Sequence, residues 1–428
     1  MTESFLHYLW QFQYFDKRDL RSTLGEELSI LHPGYKNVHS GPDFFNARIK
    51  IGAIEWVGNV EIHIFASGWL EHKHNGDPAY ENVVLHVVWQ SDKKVNRSDG
   101  SDMSTLTLNG RVAERLLIEY GKLSQNPEQI PCAMQFDGVR EITRISMMER
   151  TLTERIEAKA AGIQKMLIRN NRDWEETGYQ TILRNFGFKV NSEPFEQLAH
   201  ALPYKILMKH ADKQIQIEAL LFGQAGFLED NHGDEYYKTL QREYGLLGRK
   251  YQLTTRKVSK VQWRFLRLRP ANFPTIRIAQ FAALIYQRRN IFSTILSLNS
   301  GAALQKFFAI RQSDYWIHHY QFIKQIKEEV ATLGEASTAN IIINSVVPLL
   351  VAYGKSRDEE EYLVRAISIL QHMRAETNMI TRNWKSLGLA SQNAFDSQAL
   401  VQLYNHYCLK RRCLDCAIGA SIVNPGNA

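Results

Sequence analysis

The amino-acid sequence predicts an α+β protein, with a mixed α/β domain in residues 1–135 and a mostly α-helical region in residues 136–428. Three observations lead to this fold class. Runs of alternating or continuous apolar residues typical of strands occur in the first part of the chain. From about Glu141 onward, apolar residues recur every three or four positions, as in amphipathic helices. A chain of 428 residues is also too long to fold around a single hydrophobic core of ordinary size, which indicates more than one domain.

The pattern of the first region, residues 1–135, predicts both helices and strands. A helix is predicted from about Asp19 to Ser29, before a turn at Pro33-Gly34, and a second helix over about residues 111–123 closes the region. Strands are predicted for the segments DFFNARIKI, IEWVGNVEIHIF, ENVVLHVVW and STLTLNG.

Composition limits the function classes. The chain is 44% hydrophobic and 23% charged, which excludes general disorder. Its net charge of +7 suits a polyanionic partner such as nucleic acid. The N-terminal sequence shows no export signal, and no apolar run is long enough to predict a membrane span. Four cysteines in so long a chain make no disulfide framework, so we expect a reducing, cytoplasmic location.

Two acidic residues in the first region stand in a spacing that suggests metal chemistry. Seventeen residues separate Asp43, in Ser-Gly-Pro-Asp-Phe, from Glu61, in Val-Glu-Ile-His-Ile. The two-residue period of a strand places Glu61 and His63 on one face. Carboxylates from adjacent strands can hold a cation that neutralises phosphate charge and lowers the pKa of bound water. The alternative is that Asp43 caps a turn and Glu61 is a solvated strand residue.

This pattern resembles the PD-(D/E)XK nuclease superfamily. The resemblance implies a restriction-endonuclease-like fold and hydrolysis of phosphodiester bonds in DNA or RNA, with Mg or Mn held by Asp43 and Glu61. It also implies an extra acidic ligand at Glu27, or its neighbour Glu26, in the predicted first helix. His63 stands where the family usually has lysine, and a mostly neutral imidazole can position or deprotonate water instead.

Two other functions remain open. The chain can be a non-enzymatic nucleic-acid-binding protein that kept the fold without the lysine. It can also be a cupin-like β-sandwich metalloprotein that uses the loop after the Glu-x-His strand. A helix between that strand and VVLHVVW favours the nuclease-like fold over the sandwich. We expect the loop residues to contact metal or substrate, namely His72, His74, Asp77 and Tyr80. His86 is predicted to be a core histidine.

A cysteine cluster near the C-terminus suggests a second, structural metal site. Cys408, Cys413 and Cys416 follow the pattern C-x4-C-x2-C, so three of the four thiols fall within nine residues. Thiolates at such spacing can hold zinc or an iron–sulfur cluster. Cys132, or a histidine such as His406, would be the fourth ligand, and reduced cysteines without metal are the alternative.

Four arginines crowd one segment of the helical region, WRFLRLRPANFPTIR. Arginine stays charged and matches phosphate geometry, and Phe265 and Phe273 can stack on bases. An equally open interpretation is that these arginines bridge helices. The residues are Arg264, Arg267, Arg269 and Arg277.

Most of the chain also resembles a family of uncharacterised bacterial proteins defined only as a domain of unknown function. The resemblance is carried by SGPDFFNARI, VEIH, the W-x-x-H-x-H stretch, LHVV, LLFGQAGFL, RLRPANFPTIR and the terminal cysteines. It implies no activity, but it supports treating the two regions as one unit.

Overall fold

The computed structural model describes residues 1–231 and 233–424. Contacts divide the chain into two compact units. The first contains Met1–Met147 together with the C-terminal segment that begins at Leu403, and the second is Met148–Gln402. The division predicted at 135/136 assigned the C-terminal segment to the helical region, whereas in the structure this segment packs within the first unit.

A six-stranded mixed sheet lies at the centre of the first unit. Its strands are β1 (Leu28–His32), β2 (Tyr35–Lys36), β3 (Phe44–Ile51), β4 (Ile54–Phe65), β5 (Val83–Gln90) and β6 (Thr105–Thr107). The order is β1-β3-β4-β5-β6, with β2 paired to β3 outside this path. β3 is antiparallel to β1 and β4, whereas β5 is parallel to β4 and β6. The four strand segments predicted from the sequence are thus confirmed.

Helices cover and connect this sheet. They are α1 (Glu3–Phe12), α2 (Gly68–Glu71) and α3 (Glu114–Gln125). Thr2 caps α1 by accepting a hydrogen bond from the backbone N–H of Phe5 at 3.3 Å. The buried side of α1 includes Phe5, Leu9 and Trp10, and the helix packs against β4. Parallel strands cannot be joined by a tight turn, so β4 and β5 are connected through α2 and two short 3-10 turns.

The helix predicted from Asp19 to Ser29 is wrong. Gly25 adopts a left-handed φ of 85° in a turn closed by its backbone N–H bond to Ser22. Leu28 already belongs to β1, where it pairs with Ile51. The apolar residues at the end of the predicted helix belong to strand β1 instead. The N-terminal helix of this unit is α1.

The second unit is almost entirely helical, so the predicted change from mixed α/β to helix is confirmed. Its core includes the contacting helices α8 (Gln214–Gln224) and α10 (Pro274–Gln287). Pro274 occupies the first turn of α10, where a missing backbone N–H breaks no helical hydrogen bond. The boundary between the units falls within α4 (Glu141–Arg169). The elements are α4 (Glu141–Arg169), α5 (Trp174–Phe186), α6 (Ser192–Ala201), α7 (Tyr204–Met208), α8 (Gln214–Gln224), α9 (Glu235–Lys250), α10 (Pro274–Gln287), α11 (Ile291–Ser297), α12 (Gly301–Phe308), α13 (Asp314–Ile317), β7 (His319–Gln321), β8 (Lys324–Gln325), α14 (Glu335–Ile341), α15 (Val347–Arg357), α16 (Glu361–His372), α17 (Met379–Ser386) and α18 (Ala394–Leu403).

The C-terminal segment adds a last helix, α19 (Ala417–Val423), to the first unit. A π-helical turn over Tyr404–Cys408 precedes it. α19 packs against α3 and against the 3-10 turn Ala133–Gly138.

One helical stretch, Glu335–Arg357, is long and apolar enough to cross a membrane by length and composition. In the structure, 67% of its apolar window is buried inside the protein. A core helix of a globular protein has the same composition, so this stretch is weak evidence for a membrane span.

Candidate metal centre

The strand register brings Asp43 and Glu61 together. A bulge in β3 near Asn46, which has a φ of 55°, lets Phe44 pair with Val60, so that Asp43 falls beside Glu61. The backbone N–H of Asp43 donates to Glu61 Oε2 at 3.2 Å, and the N–H of Ile62 donates to Asp43 Oδ2 at 3.0 Å. Both carboxylates therefore lie at one place in the sheet.

Three histidines complete this cluster. His63 lies two residues after Glu61 in β4, and His72 and His74 follow in the connection to β5. The nitrogen atoms that His63, His72 and His74 offer to a metal all lie within 4.8 Å of one another. His63 Nε2 is 3.1 Å from His72 Nδ1 and 3.7 Å from Glu61 Oε1, which is 3.3 Å from His74 Nε2.

These separations match the ligand spacing of a tetrahedral metal ion. Bond lengths of about 2.0–2.2 Å to nitrogen and oxygen place tetrahedral ligands about 3.3–3.6 Å apart. The three histidines can therefore face a single cation, and Glu61 Oε1 lies within 3.7 Å of the Nε2 atoms of His63 and His74. We call Glu61, His63, His72 and His74 the ligand cluster.

Burial shields most of the ligand cluster from water. Glu61, His63 and His74 are buried, whereas His72 is exposed and leaves the cluster open on one side. The ring of His74 stacks on Tyr80, with centroids 3.8 Å apart. Among the described residues, His74 Nε2 is a buried nitrogen without a well-oriented hydrogen-bond partner. Leaving such a group unpaired costs about 1–3 kcal/mol, which a bound cation would remove.

Two further histidines lie near the site, one in contact with the ligand cluster and one in contact with Asp43. His63 Nδ1 lies 2.9 Å from Nε2 of His86, which is fully buried in β5 and paired in register with Glu61. His7, on α1, places its Nε2 3.1 Å from Asp43 Oδ2. Sequence reasoning missed both contacts. A polar residue inside the apolar strand VVLHVV was the available signal for His86, whereas His7 gave none because its contact is long-range.

The protonation of the cluster suits metal binding. Burial lowers the pKa of His63 to about 4, and the neighbouring charges of His72 and His74 contribute to this lowering. Burial also lowers the pKa of His74. Burial, followed by the charge of Asp43, raises the pKa of Glu61 to about 8. The imidazoles of His63 and His74 are therefore neutral at neutral pH, which is the form that binds a metal, and a cation would displace the proton of Glu61.

Glu27 does not belong to this site. It is exposed next to Leu28, which pairs with Ile51 at the opposite end of β3 from Asp43. The expectation of an extra ligand at Glu27 is therefore wrong, because the helix that was to carry it is a turn and a strand. Its neighbour Glu26 accepts hydrogen bonds from the hydroxyls of Ser22 and Ser104.

Asp77 and Tyr80 flank the cluster in different ways. Asp77 is exposed and caps the turn Pro78–Tyr80 by accepting from the N–H of Ala79 at 2.9 Å. Tyr80 packs on His74, and burial together with the charges of Glu61 and Asp43 raises the pKa of Tyr80 to about 12. Its hydroxyl therefore stays protonated and can donate a hydrogen bond.

The four arginines of the second unit divide into two groups. Arg264, Arg267 and Arg269 are exposed. Arg277 is 4% exposed and donates hydrogen bonds to Gln280 Oε1, Asn272 Oδ1 and Ser337 Oγ. The expectation that Arg277 contacts phosphate is wrong, because its guanidinium is buried and donates its hydrogen bonds to side chains of the protein. Phe265 and Phe273 pack against each other, with centroids 5.1 Å apart.

All four cysteines lie in the first unit, as thiols rather than disulfides. Cys132 directly precedes the turn Ala133–Gly138, and the other three lie between the π-helical turn and α19.

Comparison with known proteins identifies a family. Neither a curated protein nor a solved structure matches the chain. A family model described as "Protein of unknown function (DUF2851)" matches residues 3–379. This range contains the ligand cluster, Asp43, His7, His86 and Cys132, and ends before the three C-terminal cysteines. The chain belongs to the DUF2851 family.

Proposed function

We propose that this protein is a metal-dependent hydrolase of phosphodiester bonds in nucleic acid, with a nuclease-like core of the PD-(D/E)XK type. The observation that carries the proposal is the convergence of two carboxylates and three histidines on one position. The order of elements supports it: a helix, a strand preceded by Asp43, a strand with Glu61 and His63, a helical connection and a parallel strand. That helical connection favours this fold over the cupin-like sandwich.

The ligand set determines the class of metal. Three imidazoles with one carboxylate suit zinc, manganese or iron, whereas magnesium prefers oxygen ligands. Of the two metals that the nuclease resemblance implied, magnesium and manganese, we therefore favour manganese, with zinc as a further candidate at this site. A cation held there would polarise a phosphoryl oxygen and lower the pKa of a bound water.

The remaining residues have separate tasks. Asp43 lies beside Glu61 but outside the ligand cluster, and its Oδ2 faces His7 Nε2, so this pair can accept a proton from an attacking water. The Tyr80 hydroxyl can donate to a phosphate oxygen. The side of the cluster at the exposed His72 admits the substrate.

Nucleic acid is the substrate class that the charge favours. The chain carries a net charge of +7, and Arg264, Arg267 and Arg269 are exposed in the second unit. Binding without hydrolysis, the alternative function, requires the same charges but no reaction at the ligand cluster.

A hydrolysis assay tests the proposal. The protein is freed of metal, supplied with Mn²⁺, Zn²⁺ or Mg²⁺, and incubated with single- and double-stranded DNA and RNA. We expect cleavage with Mn²⁺ or Zn²⁺, and a loss of at least about 100-fold in Glu61→Gln and His74→Asn, since each removes a ligand. Glu27→Gln is the matched control, because Glu27 is an exposed acid on the same sheet. Absence of cleavage with every metal, or full activity in Glu61→Gln, would overturn the proposal; nucleic-acid binding without cleavage would support the alternative.

A further inference from the structure

The four cysteines of the chain come from two distant parts of the sequence, and all of them lie in the first unit. Cys132, Cys408 and Cys416 are each 6% exposed, and Cys413 is partly exposed. None of the four is in a disulfide. A chain with only these cysteines therefore buries three of them in one unit without using them as a covalent link.

The C-terminal three lie on a closely wound segment. The N–H of Arg411, whose φ of 54° is left-handed, donates to the carbonyl of Cys408 at 3.1 Å. The N–H of Cys416 donates to the carbonyl of Cys413 at 3.3 Å. At Gly419, a Cβ atom would lie 2.2 Å from the Cys413 carbonyl oxygen, so only glycine allows α19 to lie this close to the loop.

The segment is fastened to the part of the chain that carries Cys132. Tyr404 donates its hydroxyl to Gln129 Oε1 at 3.5 Å, and α19 packs against the turn that follows Cys132. The N–H of Ala417 also lies 3.4 Å from the sulfur of Met147. These contacts hold the segment that carries Cys408, Cys413 and Cys416 against the part of the chain that carries Cys132.

Burial and the charges of neighbouring cysteines both affect the pKa values of these thiols. Burial is the main reason that the pKa of Cys132 rises to about 12, and the charges of Cys416 and Cys413 contribute to this rise. Burial likewise raises the pKa of Cys408, with contributions from the other three cysteines. Arg411 is the cation that acts on Cys408 and Cys413 in the opposite direction. The thiolate, and not the thiol, is the form of cysteine that binds a metal.

The spacing distinguishes between the possible centres. Zinc–sulfur bonds of about 2.3 Å in a tetrahedron place four sulfurs about 3.8 Å apart. In the part of the chain that the structure describes, the group of three or more ligand atoms within 4.8 Å of one another is the histidine trio, and no cysteine belongs to it. Among the described residues the cysteine sulfurs are thus not gathered within 4.8 Å as one zinc ion would require, whereas an iron–sulfur cluster is larger than one metal ion and takes four cysteine thiolates as its usual ligands.

We propose that Cys132, Cys408, Cys413 and Cys416 bind an iron–sulfur cluster that joins the C-terminal segment to the Cys132 region within the first unit. This site is separate from the ligand cluster of the proposed hydrolase and does not depend on it. Its role is structural, because it would fasten together two segments of the first unit that lie far apart in the sequence.

The test begins with the full-length chain purified without oxygen. We expect iron and acid-labile sulfide in near-stoichiometric amounts, a broad visible absorption and little zinc. Cys132→Ser and Cys416→Ser should lose most of the iron and the absorption, and reconstitution with iron and sulfide should restore the cluster in the wild type alone. His406→Asn is the matched control, because His406 is the competing fourth ligand on the same segment.

The outcomes separate clearly. Stoichiometric zinc without iron, or a folded wild-type chain that takes up neither metal, overturns the proposal. Loss of the cluster in His406→Asn with retention in Cys132→Ser overturns the assignment of Cys132. These measurements on the wild type remain decisive even where a cysteine variant fails to fold, and circular dichroism identifies such variants.

Discussion

His63 uses both nitrogen atoms of its ring, and this decides its role at the scale of single residues. Nε2 faces His72 and Glu61, while Nδ1 faces His86 at 2.9 Å. A proton on Nδ1, donated to His86, leaves the lone pair of Nε2 free for a cation. The residue that replaces the usual lysine of the nuclease pattern is therefore better suited to hold metal than to stabilise charge on phosphate.

Replacement of His86 should weaken metal binding without removing a ligand. In His86→Phe, a ring of similar size fills the buried position, but His63 loses the partner that fixes its tautomer and orientation. We expect metal affinity to fall roughly 10–100-fold, as is typical for outer-shell partners. Isothermal titration with Mn²⁺ or Zn²⁺ measures this. His200→Phe, at an exposed position of α6, is the control, and equal affinities in both variants would contradict the role of His86.

At the scale of elements, the site depends on how closely α2 lies against β4. Gly68 begins α2, and a Cβ atom at this position would lie 2.8 Å from Cδ2 of His63 and 3.0 Å from its Cγ. Real Cβ contacts are essentially never this short, so the ring of His63 has space only because residue 68 is glycine. The short helix thus positions the central histidine of the ligand cluster.

Gly68→Ala should therefore displace His63 and reduce metal affinity by at least about 10-fold, roughly the effect expected when a ligand is misoriented. Gly76→Ala is the matched control in the same connection, since a Cβ there meets nothing within 4 Å. Titration with metal compares the two variants, and circular dichroism confirms that both are folded. Tight binding by Gly68→Ala would show that the ring can shift without loss.

The arginine-rich segment 263–277, which extends into the first turn of α10, combines two roles that the sequence could not separate. Arg277→Ala removes a buried donor from Gln280, Asn272 and Ser337, at a cost of about 1–3 kcal/mol for each partner left unpaired. We expect a lower thermal midpoint for this variant. The double variant Arg264→Ala/Arg269→Ala should keep the midpoint.

Nucleic-acid binding provides the complementary measurement. Each phosphate contact that is lost should reduce the slope of log affinity against log salt by roughly 0.7–0.9. We expect this change in the double variant. An unchanged slope would mean that Arg264 and Arg269 do not contact phosphate.

At the scale of the whole molecule, the first unit is made of two separate stretches of chain. α19 covers parts of α3 and of the turn Ala133–Gly138, and the Tyr8 hydroxyl donates to the carbonyl of Ala420 at 3.5 Å. Removal of residues 403–428 would expose the apolar surfaces that lie beneath this segment. The C-terminal segment that contains α19 is thus part of the fold of the unit that carries the ligand cluster.

Truncation after Gln402 should consequently destabilise the first unit and leave the second largely intact. We expect a thermal unfolding curve with an early transition, and protease cleavage within residues 1–147 before cleavage within 148–402. Limited proteolysis with mass spectrometry identifies the sites. Deletion of residues 425–428 alone serves as the control. A single unchanged transition in the longer truncation would show that α19 contributes little.

The sequence by itself determined the features that depend on local pattern. Alternation of apolar residues predicted the four strand segments, and the three-to-four period predicted the helical second part. The Asp43–Glu61–His63 spacing could be recognised because Asp43 directly precedes β3, while Glu61 and His63 lie in the adjacent strand β4. The helix expected at Asp19 failed because the turn at Gly25 and the pairing of Leu28 with Ile51 outweighed its helical period.

Only the tertiary structure decided which distant residues meet. His7 reaches Asp43 because α1 packs on β4, His86 reaches His63 because β5 pairs in parallel with β4, and Arg277 is buried because Asn272, Gln280 and Ser337 surround it. None of these contacts leaves a period or a spacing in the sequence. Secondary structure arises from interactions a few residues apart, whereas a site arises from packing between elements far apart in the chain.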